Sequence, residues 1–171
     1  ISGLLFKKAY QLFITTYGKG IWQLDGDILK RVRLRELAQI DDIYDALFDQ
    51  QGRLWLATDN GIWIYQSQSP ESLSHIGQDQ GLPDEIVTQL EMSVNGDIWI
   101  GLYDHGLAYY DTDRDIVIPL MLLQPSLGNV IGLCIGQPGE GWMATEKSIV
   151  RYNQDGSSKE IKLPSEMKDR V

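Results

Sequence analysis

The chain has 171 residues, 43% of them apolar, with a net charge of −9 and an isoelectric point near 4.6. That acidity argues against general binding to nucleic acid or an anionic membrane surface, and its plain reading is solubility. The single cysteine excludes an intrachain disulfide, and the longest apolar run, Ile116–Leu123, is too short to cross a bilayer and contains Pro119.

The first unit begins at once. Ile1–Lys7 and Tyr10–Thr16 read as strands, Tyr17-Gly18-Lys19-Gly20 turns the chain, and Ile21–Leu24 returns. Asp25-Gly26 is a hairpin signal leading to an outer strand over Ile28–Leu34. The loosely spaced Leu34, Leu37, Ile40 and Leu47 imitate a helix, but loop followed by strand fits better, because Ile43–Asp49 stands where an innermost strand belongs. The second unit runs through Ile43–Gln50, Arg53–Thr58, Ile62–Gln66 and a weaker Ser72–Ile76. A Gly- and Pro-punctuated linker follows, Gly77–Asp84, in which neither helix nor strand is expected. The third unit is Ile86–Val94, Asp97–Tyr103, Leu107–Asp111 and Asp115–Met121. The fourth is Val130–Gln137, Gly141–Thr145, Ile149–Asn153 and Lys159–Leu163, with Cys134 expected as a small buried hydrophobe. Pro164–Val171 resembles a linker and the first residue of another unit.

These units are copies of one pattern. Its sharpest form is Gly52-Arg53-Leu54-Trp55-Leu56-Ala57-Thr58, then Asp59-Asn60-Gly61, then Ile62-Trp63-Ile64-Tyr65. Gly96–Gly101 with Gly106–Tyr110, and Gly139–Thr145 with Ile149–Tyr152, repeat it, and Tyr10–Leu24 is a weaker copy. The central aromatics Phe13, Trp55, Trp99 and Trp142 follow one another at 42, 44 and 43 residues. Four strands in a period of 40–45 residues are the signature of propeller blades. The expected fold is therefore all-β: four four-stranded antiparallel blades over about 1–38, 39–81, 82–125 and 126–164, with 165–171 opening a further blade. The tryptophans are expected to be stacking residues of the core, Trp22 and Trp63 less firmly than the rest.

The units resemble the two-component regulator propeller repeat, whose pattern is Asp or Asn with Gly, two residues, Trp-Ile-Gly-Thr, a short turn and Gly-Leu-X-X-Tyr. Here it reads Gln51-Gly52-Arg53-Leu54-Trp55-Leu56-Ala57-Thr58 and Asn95-Gly96-Asp97-Ile98-Trp99-Ile100-Gly101. The segment Gly81–Val87 is similar to the family's inter-blade linker. The first unit departs from the pattern at Phe13, and the fourth has Ser148 where Gly is expected. The resemblance implies the extracytoplasmic sensor region of a bacterial membrane-bound signalling protein, with a histidine kinase or cyclic-di-nucleotide enzyme as output elsewhere on the polypeptide. It also implies more than four blades, and a chain starting at Ile1 is expected to be a mature product or a cut-out piece. Membrane attachment would come only through parts outside these residues.

A blade buries its faces only against neighbouring blades. Four blades in a row leave two end faces, which admit a closed four-blade ring, an open arc that is a segment of a larger propeller, or half of a ring closed by a second copy; self-association through the end faces is the expectation, because large apolar patches are rarely left wet. In a propeller the turns between second and third strands gather with the inter-blade linkers on one face, where ligands bind. The candidates there are Tyr17 and Lys19; Asp59 and Asn60; Tyr103, Asp104 and His105; and Glu146 and Lys147. They suit an unidentified small molecule, sugar or peptide. His75 is expected to be solvated on an outer strand, and no spacing of His and Cys suggests a metal. Asp111, Asp113 and Asp115 lack the central Gly and terminal Glu of a calcium loop. No nucleophile elbow, phosphate loop or cofactor motif is present. The leading expectation is a non-catalytic sensor module. The alternatives are a propeller enzyme of the streptogramin-lyase type, with His105 as its candidate group, and a pure interaction scaffold.

Overall fold

A computed structural model describes residues 1–7, 11–32, 40, 42–66, 73–120, 128–137, 139–153 and 155–168. The sequence readings over 33–39, 67–72, 121–127 and 169–171 lie outside the described residues. Among the described residues sixteen strands form four antiparallel sheets, each made of four strands consecutive in sequence. Blade 1 is β1 (Gly3–Lys7), β2 (Gln11–Thr16), β3 (Gly20–Asp25) and β4 (Ile28–Arg31). Blade 2 is β5 (Ile43–Phe48), β6 (Leu54–Thr58), β7 (Ile62–Tyr65) and β8 (Leu73–Ile76). Blade 3 is β9 (Val87–Met92), β10 (Ile98–Leu102), β11 (Leu107–Asp111) and β12 (Ile116–Leu120). Blade 4 is β13 (Val130–Ile135), β14 (Glu140–Thr145), β15 (Ser148–Asn153) and β16 (Ser158–Lys162). The inner strands β1, β5, β9 and β13 lie beside one another in that order, while β1 and β13 share no comparable packing, so the arc is open.

Tight hairpins set the strand register. Gly52 and Gly96 hold φ of 75° and 97°, a region open to glycine at little cost, and each donates its N–H back across the turn, to Asp49 and Ser93. Ser148, in the place of a turn glycine, is fully buried without positive φ; its N–H bonds Thr145 Oγ1 at 3.2 Å. The linker expected to lack helix contains one 3-10 turn, Gln78–Gln80, closed by Gly81 at φ 98°. Residues Ser165–Lys168 form one turn of helix, α1. So short a linker can still spend three residues on a turn, because a turn needs no periodic apolar face.

Each sheet has two unlike faces. The central aromatic of each blade points toward the following blade. Trp55 packs with blade 3, its ring centroid 5.1 Å from Tyr110, and Trp99 packs against blade 4. There Gly141 makes room: a Cβ on it would lie 2.6 Å from the Trp99 ring. The opposite face meets the preceding blade. In blade 2 it consists of Ala46, Leu56 and Trp63 across one row and Phe48, Leu54 and Tyr65 across the next. These pack on Leu5, Phe13 and Ile21 of blade 1. With a neighbour on each side, every residue of β6 and β10 is buried.

The end blades correct several expectations. Trp142 faces away from blade 3 and Trp22 away from blade 2, and both are only half-buried. Cys134, expected inside, is exposed, because it shares the uncovered face with its cross-strand partner Trp142. Strand β4, read as having one wet side, is exposed on both. His75, expected in solvent, is half-buried, with its ring 4.5 Å from Trp63 and its Nε2 2.8 Å from the Asn60 carbonyl oxygen.

Candidate functional site

Three inner strands begin with the same irregularity. In β5, Ile43 pairs with Thr58 and Asp45 with Ala57, leaving Tyr44 out of the ladder. In β9, Val87 pairs with Leu102 and Gln89 with Gly101, leaving out Thr88. In β13, Val130 pairs with Thr145 and Gly132 with Ala144, leaving out Ile131. A bulge re-aims its extra side chain. Tyr44, Thr88 and Ile131 all line one open cavity of about 290 Å3. Because each inner strand starts opposite the end of the second strand, the cavity lies at the level of the turns between second and third strands. Tyr17 and Tyr103, from two of those turns, complete its wall with Ile86, Gln89, Asn129 and Val130.

Among the described residues no charged side chain lines this cavity, although the chain carries nine net negative charges. The rings of Tyr17 and Tyr44 meet at 5.8 Å, tilted by 55°. Burial, then the carboxylates of Asp59 and Asp42, push the Tyr44 phenol above its ordinary value, so its hydroxyl stays protonated at any physiological pH. Gln89 Nε2 donates to the Thr88 carbonyl oxygen at 2.8 Å, and Thr88 Oγ1 donates to the Val130 carbonyl oxygen of the next blade at 2.7 Å. Asn129 Oδ1 is buried and has no hydrogen-bond donor. Aromatic faces, amides and hydroxyls without charge suit a neutral ligand that has an apolar side and an N–H or O–H to give.

Of the candidates read from the sequence, Tyr17 and Tyr103 line the cavity, and the others lie outside its lining. The Lys19 carbonyl oxygen accepts the Trp22 indole N–H at 3.1 Å. Asp59 is exposed, and the Asn60 backbone serves the turn, its N–H bonding Thr58 Oγ1 at 3.1 Å. Glu146 and Lys147 are exposed, the Lys147 N–H bonding Thr145 Oγ1 at 3.2 Å. His105 Nδ1 lies 3.2 Å from Asp84 Oδ2, which also accepts the Asp104 N–H at 3.0 Å. Burial pushes Asp84 up, but the N–H groups of Asp104 and Ile86 and the His105 ring outweigh it and hold the carboxyl below its ordinary value. That is a clamp joining a blade 3 turn to the linker before it.

Tyr44, Thr88, Gln89 and Asn129 were not anticipated. A signal for the first two exists in the sequence. The buried apolar residues at the start of the inner strands fall three apart, Ile43 and Ala46, Val87 and Leu90, where an unbroken strand keeps them two apart. Nothing in the residue pattern marked Gln89 or Asn129. Among the described residues no group of three or more His, Cys, Asp or Glu could hold a metal ion, and no helix is long and apolar enough to cross a membrane.

Comparison with known proteins places this architecture. Residues 39–60 match the family model described as the two component regulator propeller. No curated protein matches the chain. Among solved structures, the extracellular domain of BT3049 of B. thetaiotaomicron, assigned as a hybrid two component system, superposes with a TM-score of 0.76 at 19% identity, over 96% of this chain and 22% of that one. The extracellular domain of BT4673 of the same organism, assigned as a one component system, gives 0.77 at 20% identity, over 98% and 25%. Virginiamycin B lyase of Staphylococcus aureus gives 0.77 at 16% identity, over 97% and 56%. The chain thus spans about a quarter of the first two structures and just over half of the third, and at these identities the likeness is one of fold. The chain is a run of β-propeller blades, of which residues 39–60 match the two component regulator propeller model.

Proposed function

We propose that this chain is the ligand-capturing part of an extracytoplasmic sensor propeller in a bacterial signalling protein, and that it is not itself a catalyst. A histidine kinase or cyclic-di-nucleotide enzyme elsewhere on the polypeptide would be its output. The observation that carries the reading is the uncharged cavity at the turn face, to which three successive inner strands each contribute a bulged residue. The cavity draws its wall from all four blades, so a ligand bound there contacts each of them and favours one relative placement of the blades over another. Differential affinity of that kind is what a sensor needs in order to pass a signal on. The family match and the extracellular origin of two similar structures support the placement outside the cytoplasm. The ligand class is a neutral small molecule, sugar or short peptide.

The test is a titration of the purified chain with neutral oligosaccharides and with capped di- and tripeptides, followed by calorimetry. A saturable heat with at least one probe, weakened about tenfold or more by Tyr44→Ala (~1.4 kcal/mol), supports the reading. Binding untouched by Tyr44→Ala and by Gln89→Ala removes the cavity from it. A second reading is an enzyme, favoured by the His105–Asp84 contact and by the fold shared with a lyase. Turnover of virginiamycin B that is abolished in His105→Ala would establish that reading instead.

A further inference from the structure

The cavity at the turn face has an uncharged lining and a charged mouth. Three of its side chains are tyrosines, each from a different blade: Tyr17, Tyr44 and Tyr103. The Tyr17 and Tyr44 rings, 5.8 Å apart and tilted by 55°, form two walls and not one stacked slab. Tyr17 is 57% and Tyr103 44% exposed, so ring surface is left for a ligand. The face of a phenol ring carries negative potential and attracts a cation. Asp42 and Asp59 continue blade 2 beyond its last paired rung, Ile43 with Thr58, at the same end as Tyr44. Asp42 also reaches the blade 1 turn, since a Cβ on Gly18 would lie 3.8 Å from its Oδ1. Burial, then the charges of Asp59 and Asp42, raise the Tyr44 phenol, so both carboxylates act on the cavity wall. Both are exposed, and among the described residues neither is in an ion pair. The lining also holds one unsatisfied acceptor, the buried Asn129 Oδ1.

We propose that the ligand of this cavity carries a primary ammonium, held at the mouth between the Tyr17 and Tyr44 rings and the carboxylates of Asp42 and Asp59, on an apolar body that gives an N–H to Asn129: a short peptide with a free amino terminus. The proposal rests on the reading of the cavity as the capture site and narrows its ligand. An anion would be repelled at the mouth. A sugar could use the rings and Asn129 but would leave both carboxylates without a counter-charge. A peptide end meets all three features, with its ammonium outside and its first amide within. Two exposed carboxylates alone hold an ammonium weakly in water, so the rings supply the selectivity, because a cation against an aromatic face gains most where water is excluded. The volume of about 290 Å3 is at the small end for ligand pockets and admits the end of a chain, not a folded partner.

The test is calorimetry on the purified chain with three probes at pH 7, where an α-amino group is still largely protonated. The probes are leucyl-leucinamide, its N-acetylated form and phenethylamine. Leucyl-leucinamide is expected to bind at least about tenfold more tightly than the acetylated form. That preference is expected to shrink between about 50 and 500 mM salt, and to shrink about threefold or more in Asp42→Asn and in Asp59→Asn. Both positions are exposed, and circular dichroism matching the native chain excludes a folding defect. Phenethylamine binding as tightly as the dipeptide supports recognition of the ammonium but assigns the site to simple amines; binding about tenfold weaker assigns it to peptides. Equal affinity for the free and acetylated dipeptides overturns the proposal and leaves the cavity a capture site for neutral ligands. So does the absence of heat with all three probes where a neutral oligosaccharide binds and Tyr44→Ala weakens it. No heat with any of these ligands overturns both the proposal and the reading beneath it.

Discussion

At the scale of single residues, the repeats differ most in how they treat the central indole N–H. In blade 2, Asp49 Oδ2 accepts Trp55 Nε1–H at 2.8 Å and the Arg53 Nε–H at 2.5 Å, while its Oδ1 accepts the Arg53 backbone N–H at 2.8 Å. Asp49 is 6% exposed, so this carboxylate is fully committed to ending the inner hairpin and seating the tryptophan. Blade 3 has Ser93 at the corresponding position, and Trp99 Nε1 finds no acceptor. Blade 4 solves the problem from the other strand, with Trp142 Nε1–H donating to Glu140 Oε1 at 2.7 Å. Removing an acceptor leaves a buried donor unpaired, which costs more than the bond itself contributed. Asp49→Ala is therefore expected to destabilise the chain by about 2–4 kcal/mol, the range for breaking a buried, charge-assisted contact. Urea denaturation at pH 7 measures it, and a loss below about 0.5 kcal/mol would show that water replaces the carboxylate. The repeat pattern led to the tryptophans because their spacing is regular. It was silent on their N–H partners, because each blade supplies a different residue from a different place.

At the scale of strands, legibility follows periodicity. The hairpins were readable because Gly52 and Gly96 are required by positive φ, and β6 and β10 because their residues are apolar or β-branched. The inner strands were readable in place but not in detail, since a bulge shifts the alternation by one residue and moves Tyr44 and Thr88 onto the cavity wall. What binds inner strand to inner strand was not readable at all. Strand β9 has an edge N–H at Leu90 that no ladder satisfies, and Asp45 of β5 accepts it at 2.9 Å while also accepting the Ala46 N–H at 2.8 Å. Burial raises the Asp45 carboxyl above its ordinary value despite those two bonds. Burial, and then the charge of Asp45, raise Glu91 in the same direction. A carboxyl whose folded-state pKa is raised keeps its proton to higher pH in the folded chain than in the unfolded one. Its ionisation therefore opposes folding at neutral pH, and that opposition fades as the pH falls through the raised value toward the ordinary range near 4. Asp45→Asn lacks this titration. Its stability relative to the native chain is expected to be more favourable at pH 7 than near pH 4, the ordinary carboxylate range. Urea midpoints across that range test the sign; parallel curves for the two proteins would show that Asp45 is solvated enough to titrate normally.

For the molecule as a whole, stability is the sum of contacts between neighbours, because among the described residues no strand is exchanged between sheets. The sum is unevenly distributed. The largest buried cluster lies between blades 2 and 3, running from Trp55 and Ile64 to Ile98, Ile100 and Tyr110. The cluster between blades 1 and 2 relies on half-buried groups such as Phe13, Phe48 and Trp63 around a smaller buried centre. Among the described residues blade 1 meets one neighbouring blade, and β4 is exposed along its whole length. A blade so held opens by breaking one interface, while blade 2 or 3 opens only by breaking two. Opening free energies read from amide hydrogen exchange should therefore fall from the middle of the arc toward its ends. The amides of β6 and β10 are expected to exchange slowest, at the rate of global unfolding, and those of β3 to exchange faster, although β3 is hydrogen-bonded on both sides and has the same local ladder. Ladder position is thus held constant while the number of neighbouring blades changes. Equal protection in β3 and β6 would mean that the sheets unfold as one unit and that stability is not assembled blade by blade.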